Sequence, residues 1–182
     1  MHDVRVSEET APGLDLRRVR ISDPAARALI EQVQQEYVVR YGGRDESPID
    51  HTEFVAPRGA FFVGHLDGVP VVSGAWRRRS DVEVAGTTNT AEIKRMYVVP
   101  AARGLGLARR MLAHLEATAC GAGVEAMVLE TGLRQPEAIA LYESSGYVTI
   151  ASFGHYRDSD LNRCFGKPLD SGACPADTPT HA

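Results

Sequence analysis

Apolar positions along the chain follow two different periods, and the changes between them outline the elements. "AFFVGHL" (60–66) and "VPVVSGAWRRR" (69–79) are rich in β-branched and aromatic residues. They flank Asp67-Gly68, a dipeptide that favours a tight two-residue hairpin turn. "AEIKRMYVV" (91–99) reads as a further strand, closed by Pro100, and "GLDLRRVRI" (13–21) alternates imperfectly, as a first strand would. Between these, Leu29, Ile30, Val33, Tyr37, Val38 and Tyr41 fall at helical spacing. That helix has Ser22 as its cap, Pro24 in its first turn and Gly42-Gly43 at its end. Residues 44–59 are polar with two prolines and predict a long loop holding a short helix, and 80–90 predicts a turn.

In the second half, Leu107, Met111, Leu112 and Leu115 define the inward face of a helix over 104–120, ended by Gly121 and Gly123. "EAMVLET" is a strand, and "QPEAIALYESSG" a helix with Pro136 at its start and Gly146 at its end. "YVTI" and "RCFGKPL" read as closing strands. Hairpins come first and helix crossovers later, so the fold class is α/β: one domain over 13–169 with a mixed central sheet of about seven strands and helices on both faces. Residues 1–12 are polar and read as a flexible N-terminus. Residues 170–182 are small and polar, with Pro175 and Pro179, and read as a disordered tail.

Composition narrows the function classes. With 182 residues and 43% hydrophobic content, the chain can bury one real core. A net charge of −4 supplies no basic field for nucleic acid. No window approaches 18 continuous apolar residues, and Met1–Arg20 lacks the apolar stretch of a secretory signal, so no membrane partner is expected. Cys120, Cys164 and Cys174 lack metal-ligand spacing and read as reduced thiols, as do the histidines as non-ligands; a cytoplasmic protein without a metal fits.

The chemistry-bearing stretch is "VVPAARGLGLARRML" (98–112). A strand stops at Pro100, Arg103-Gly104-Leu105-Gly106 follows, and a helix opens. A helix N-terminus offers unpaired N–H groups and partial positive charge, glycines let an anion approach the backbone, and Arg103 adds a guanidinium. A third glycine of the dinucleotide-binding GxGxxG pattern is missing, since Arg109 stands there, and no Gly-Lys-Ser/Thr follows. A bare tight turn would need the same glycines.

The stretch resembles the cofactor motif of the GNAT superfamily of acetyl-CoA-dependent N-acyltransferases, Arg/Gln-x-x-Gly-x-Gly/Ala, met here by Arg103, Gly106 and Ala108. "QPEAIALYESSGY" resembles the superfamily's Asn-x-x-Ala-x-x-Leu-Tyr-x-x-x-Gly-Phe segment through Ala138, Leu141, Tyr142, Gly146 and Tyr147, with Gln135 in place of Asn. The resemblance implies a GNAT-like domain with acetyl-CoA as co-substrate. Its pyrophosphate would rest on Arg103, Gly104, Leu105, Gly106, Leu107 and Ala108, and its pantetheine arm along Met96, Tyr97 and Val98, with Gln135 nearby. The Met96 N–H would face the thioester carbonyl. Tyr142 would be the general acid, and Glu92 and Glu130 compete for the general base.

The resemblance also implies a homodimer paired through C-terminal strands. The acceptor is read as a small-molecule amine rather than a protein, in a site built by the first helix, the 44–59 loop, the strand bearing Trp76 and the turn at 153–156. Asp45, Glu46, Asp50 and Glu53 make that loop acidic, which suits a cationic amine. Two other classes stay open at this level: a catalytically weak acyl-CoA-binding module acting through a protein partner, and a nucleotide-binding domain of another type.

Overall fold

The computed structural model describes residues 13–170. The flexible N-terminus read at 1–12 and the tail beyond Asp170, with Cys174, lie outside the described residues. One seven-stranded sheet runs in the order β1-β2-β3-β4-β5-β7-β6. Its strands are β1 (Asp15–Val19), β2 (Gly59–Leu66), β3 (Val69–Arg79), β4 (Thr90–Val98), β5 (Ala126–Gly132), β6 (Val148–Thr149) and β7 (Asn162–Pro168). The helices are α1 (Pro24–Tyr41), α2 (Leu107–Gly121) and α3 (Pro136–Glu143), with a 3-10 turn over His51–Phe54 inside the long loop. Every neighbouring pair is antiparallel except β4 and β5. The expected mixed α/β sheet is therefore the observed one.

Local chemistry accounts for the boundaries. Asp67 and Gly68 both take left-handed φ, 49° and 79°, which matches the twist of the β2–β3 hairpin. Asp23 rather than Ser22 caps α1, accepting the Ala25 N–H at 2.8 Å, because it directly precedes Pro24 in the first helical position. Gly42, at φ 82°, closes the helix and donates to the Val38 carbonyl at 2.9 Å.

The helices cover opposite faces. α1 buries Ala26, Leu29 and Val33 against Phe61, Val63 and Ala75. Val38, read as inward, is exposed, because this end of α1 runs over a cavity lined by Tyr37 and Tyr41 rather than over the sheet. On the other face Leu107, Met111, Leu112 and Leu115 pack on Phe62, Val72, Trp76 and Ile93. That approach is close: a side chain at Gly74 would stand 2.8 Å from Met111. Trp76 is core, its indole N–H donating to Thr118 Oγ1 at 3.1 Å, so it takes no part in an acceptor site. Cys164 is a buried free thiol as read.

Two irregularities position everything that follows. β4 and β5 pair only at Thr90↔Ala126, Ala91↔Met127 and Glu92↔Val128, after which β5 continues with β7 and the two parallel strands part. On its other side β4 carries a bulge: Ser73 faces Tyr97 and Ala75 faces Lys94, so Arg95 and Met96 together oppose Gly74. Arg95 takes the strained φ of 56°, and the Ser73 hydroxyl donates to its carbonyl at 2.9 Å.

His114 on α2 stands edge-on to Phe62 with ring centroids 4.5 Å apart, and its Nε2 is buried without a partner. Burial holds its pKa below the ordinary 6.5. The unfolded chain therefore binds the extra proton first as the pH falls, and stability is lost below about pH 6.5. Urea unfolding should show stability dropping from pH 7 to pH 5.5 by at most about 1.4 kcal/mol per pH unit from this group. His114→Leu should flatten that slope; an unchanged slope would place the proton uptake elsewhere.

Candidate active site

The parting of β4 and β5 opens a cavity of about 820 Å³. Its walls take in Met96, Tyr97, Val98, Arg103, Gly104, Gly106, Leu107, Ala108, Glu130, Gln135 and Tyr142. Two site residues from the sequence do not line it: Leu105, which is solvent-exposed, and Glu92, which is fully buried in the sheet.

At one end lies the glycine turn. Gly104 and Gly106 have φ of 82° and 72°, and Gly106 is the N-cap of α2. Among the described residues the N–H groups of 104–109 donate to no backbone carbonyl. Nothing lies within 4 Å of the place a side chain on either glycine would occupy. Open amides over a helix N-terminus fit a phosphate, and the empty space above them fits its approach. Arg103 stands beside them, its Nε donating to the Val98 carbonyl at 3.1 Å and its Nη2 to Glu36 Oε2 of α1 at 2.5 Å. The acetyl-CoA implied by the motif thus fits the residues present.

At the other end the two candidate bases differ sharply. Glu92 Oε2 accepts from Arg77 Nε at 2.9 Å and Arg79 Nη1 at 2.8 Å, and Lys94 Nζ lies 3.2 Å from Oε1. Burial works against its charge, but Lys94, Arg77 and Arg79 outweigh that and hold its carboxyl below the ordinary 4.5. Arg77 and Arg79 are thus the counter-ions of a buried acid.

Glu130 faces the cavity. Asn162 Nδ2 donates to its Oε1 at 3.2 Å, and the turn at 153–156 wraps round it. Gly154, at φ 78°, leaves the room the carboxylate occupies: a side chain there would come within 2.5 Å of Oε2. Burial pushes the Glu130 carboxyl above 4.5, Lys94 opposes that, and Glu92 adds to it. Tyr142 is buried among Tyr147 and Phe165, with ring centroids at 5.6 Å and 6.3 Å, and burial drives its hydroxyl far above 10, so it keeps its proton.

The acceptor side is closed by contacts across the fold. Arg40 of α1 donates to the Arg134 carbonyl at 2.7 Å, Arg134 donates to the Arg40 carbonyl at 2.7 Å, and Arg40 also pairs with Glu137. Gln135 donates to the Tyr41 hydroxyl at 3.2 Å, and that hydroxyl sits where a side chain on Gly132 would be. Tyr156 donates to Asp45 Oδ1 at 3.0 Å and accepts the Glu46 N–H at 2.9 Å.

Among the described residues, only the exposed Glu46 of the loop's four acids is in no ion pair, so the loop offers little free charge to a cation. Asp45 pairs with Arg95, Asp50 with Arg58, and Glu53 with Arg77. Although burial raises the Asp45 pKa, Arg95, the bonds from Ser47 and Lys94 bring it down to about 2. Lys94, Arg95 and Asn162 are site residues that sequence reasoning missed. The bulge that presents Arg95 leaves no mark in the periodicity, and Asn162 precedes a strand read from 163.

A model of the GNAT family of acetyltransferases matches residues 25–147. An IAA acetyltransferase of Azospirillum brasilense is 31% identical over 158 residues, covering 87% of this chain and 99% of that protein. A Klebsiella pneumoniae structure assigned as an acyl-CoA N-acyltransferase superposes with a TM-score of 0.69 at 28% identity, over 86% of this chain and 98% of that one. A Salmonella typhimurium protein assigned as an acetyltransferase and solved with acetyl-CoA shares the fold, with a TM-score of 0.59 at 20% identity over 91% and 99% of the two chains.

Gly154→Ala should displace the Glu130 carboxylate and lower kcat/KM at least about tenfold, since small misplacements at a reacting centre are costly. Gly146→Ala is the control. It meets the same left-handed strain at φ 87°, but its nearest neighbour, Lys167, is 3.8 Å away. Equal losses in the two variants would mean that strain alone, not the position of Glu130, sets the effect.

Proposed function

The chain belongs to the GNAT acetyltransferase family and is an acetyl-CoA-dependent N-acetyltransferase, and from that premise we propose that it acetylates the primary amine of a small molecule directly, with Glu130 as general base and Tyr142 as general acid. One observation carries the reading. A single cavity joins the open amides of the glycine turn, the unpaired edge of β4 and both of these titratable groups.

Bound acetyl-CoA supplies an acetyl group activated as a thioester. The backbone N–H groups from Gly104 to Ala108, with Arg103, hold its phosphates, and Met96 to Val98 offer the strand edge that β5 leaves free. An alkylammonium has a pKa near 10, so at pH 7 about one molecule in a thousand carries a free lone pair. Glu130 removes that proton. Its raised pKa makes it a stronger base than a solvated glutamate. Tyr142 is in the protonated form that a donor to a departing thiolate must have, and the rise that burial gives its pKa is a cost to that transfer. The Met96 N–H is the backbone donor for the charge that develops on oxygen.

Closure supports a small acceptor. α1 is tied to 134–137, and the loop at Asp45–Glu46 to Tyr156, so the acceptor side lacks the long open groove that an extended peptide needs. With three of its four acids internally paired, the loop selects by shape more than by negative charge. The reading carries a cytoplasmic location with it; no helix among the described residues is long and apolar enough to cross a membrane. A homodimer through the C-terminal strands would cover Val148, exposed on the edge strand β6.

Thermal melting with acetyl-CoA, CoA and ATP tests the cofactor half of the site. The CoA species should raise the midpoint and ATP should not, because a ligand at a hundred times its Kd adds about 2.7 kcal/mol. No shift with either CoA species at millimolar concentration would overturn the glycine turn's role. For the acid–base half, Glu130→Gln should lower kcat/KM by about 10²–10⁴ and Tyr142→Phe should lower kcat. Full activity in Glu130→Gln would remove it as the base.

A further inference from the structure

Lys94 is one of two lysines in the chain, and its surroundings are unusual. It sits on β4 two residues past Glu92, the last β4 position paired with β5, as Glu130 sits two residues past Val128 on β5. Lys94 and Glu130 therefore occupy corresponding rungs just where the strands part, and both line the cavity. Behind Lys94 lies the fully buried Glu92 carboxylate, whose Oε1, the oxygen to which neither arginine donates, is 3.2 Å from Nζ.

We propose, resting on Glu130 as the base, that Lys94 is a positioning residue: anchored by Glu92, it holds a fixed positive charge beside Glu130 and sets the pH at which that carboxylate takes the acceptor's proton. The transfer is R–NH3+ plus carboxylate to R–NH2 plus carboxylic acid. A neighbouring cation favours the carboxylate, while burial favours the acid. Without Lys94, burial and the charge of Glu92 would keep Glu130 protonated to higher pH, and a protonated Glu130 takes nothing from the amine.

The other groups around Glu130 leave this role to Lys94. On β7, Cys164 faces Glu130 across the ladder as a buried thiol, and Asn162 donates a neutral hydrogen bond. The turn contributes the Tyr156 backbone and the side-chain-free Gly154. From the acceptor loop comes Asp45, whose charge is engaged by Arg95 of the bulge. Lys94 is the cation acting on Glu130, and its ammonium is held because Glu92 cannot turn to water. A free lysine would spend its charge in solvent.

The test is a titration of the ligand-free protein with 13C-labelled glutamate carboxyls, the Glu130 signal being the one absent from Glu130→Gln. In Lys94→Met its midpoint should move up by about one pH unit, and Lys94→Arg should restore it. The acidic limb of kcat/KM should move up with it, with melting used to confirm that each variant is folded. An unmoved Glu130 midpoint in a folded Lys94→Met overturns the proposal. So does a raised KM for the amine with an unmoved limb, which would make Lys94 an acceptor-binding residue. If Glu130→Gln keeps full activity, the base assignment fails instead, a result that the carboxyl titration distinguishes.

Discussion

Three paired positions are all that join β4 to β5, and the site exists because the pairing stops there. Backbone N–H and C=O groups rarely stay unpaired inside a protein. A sheet that splits in its middle must therefore give its free edge to something else. Here β5 pairs with β7 on its other side, so beyond Val128 and Glu92 both strands turn a free edge to the split, and the β4 edge lies next to the bulge at Arg95 and Met96. That edge faces a cavity which a pantetheine arm can fill as an added strand. What keeps the split from spreading is α1: its last turns bridge the glycine turn through Glu36 and Arg103, and the start of α3 through Arg40, Arg134, Tyr41 and Gln135.

The same split separates two glutamates with opposite fates. Glu92 stands where the strands are still joined, so its carboxylate is sealed off from water. Such a charge persists only with compensation, and removing one partner of a buried pair is expensive. Arg77, Arg79 and Lys94 supply that compensation, and Glu53 and Asp81 in turn balance the arginines. A base so held has little reason to take a proton. Two rungs on, Glu130 has the cavity in front of it and fewer cations around it, so burial prevails and its affinity for a proton rises. Identical side chains on neighbouring strands thus acquire opposite proton affinities, the basis of the anchor and base roles proposed above.

Much of this architecture was legible in the chain. The Asp67-Gly68 hairpin, the α2 stripe of Leu107, Met111, Leu112 and Leu115, and the glycine turn are local signals, where neighbouring residues determine conformation. The parting of β4 from β5 is not local. No residue in "AEIKRMYVV" announces which rungs are paired, so Glu92 and Glu130 could not be ranked, and the bulge that gives Arg95 its positive φ was invisible. Charges misled for the same reason. Asp45 and Glu53 read as free acids because their partners, Arg95 and Arg77, are distant in sequence and settled by tertiary contacts.

Those pairings change what the acceptor side can recognise. An acidic loop with free carboxylates would draw in any amine by charge, with selectivity weakened by salt. A loop with three of its four acids committed to Arg95, Arg58 and Arg77 is instead mostly a wall, and Asp45 also holds Tyr156, which brings the 153–156 turn against Glu130. With Glu130 as the proposed base, binding and proton removal would be coupled through one carboxylate: the contacts that shape this side of the cavity are those that hold the turn around Glu130. An amine that fits beneath Tyr37, Tyr41 and Tyr156 would meet Glu130 in position, while one that forces the loop away would also loosen that turn. On this proposal selectivity is tied to the chemical step and does not rest on charge attraction alone.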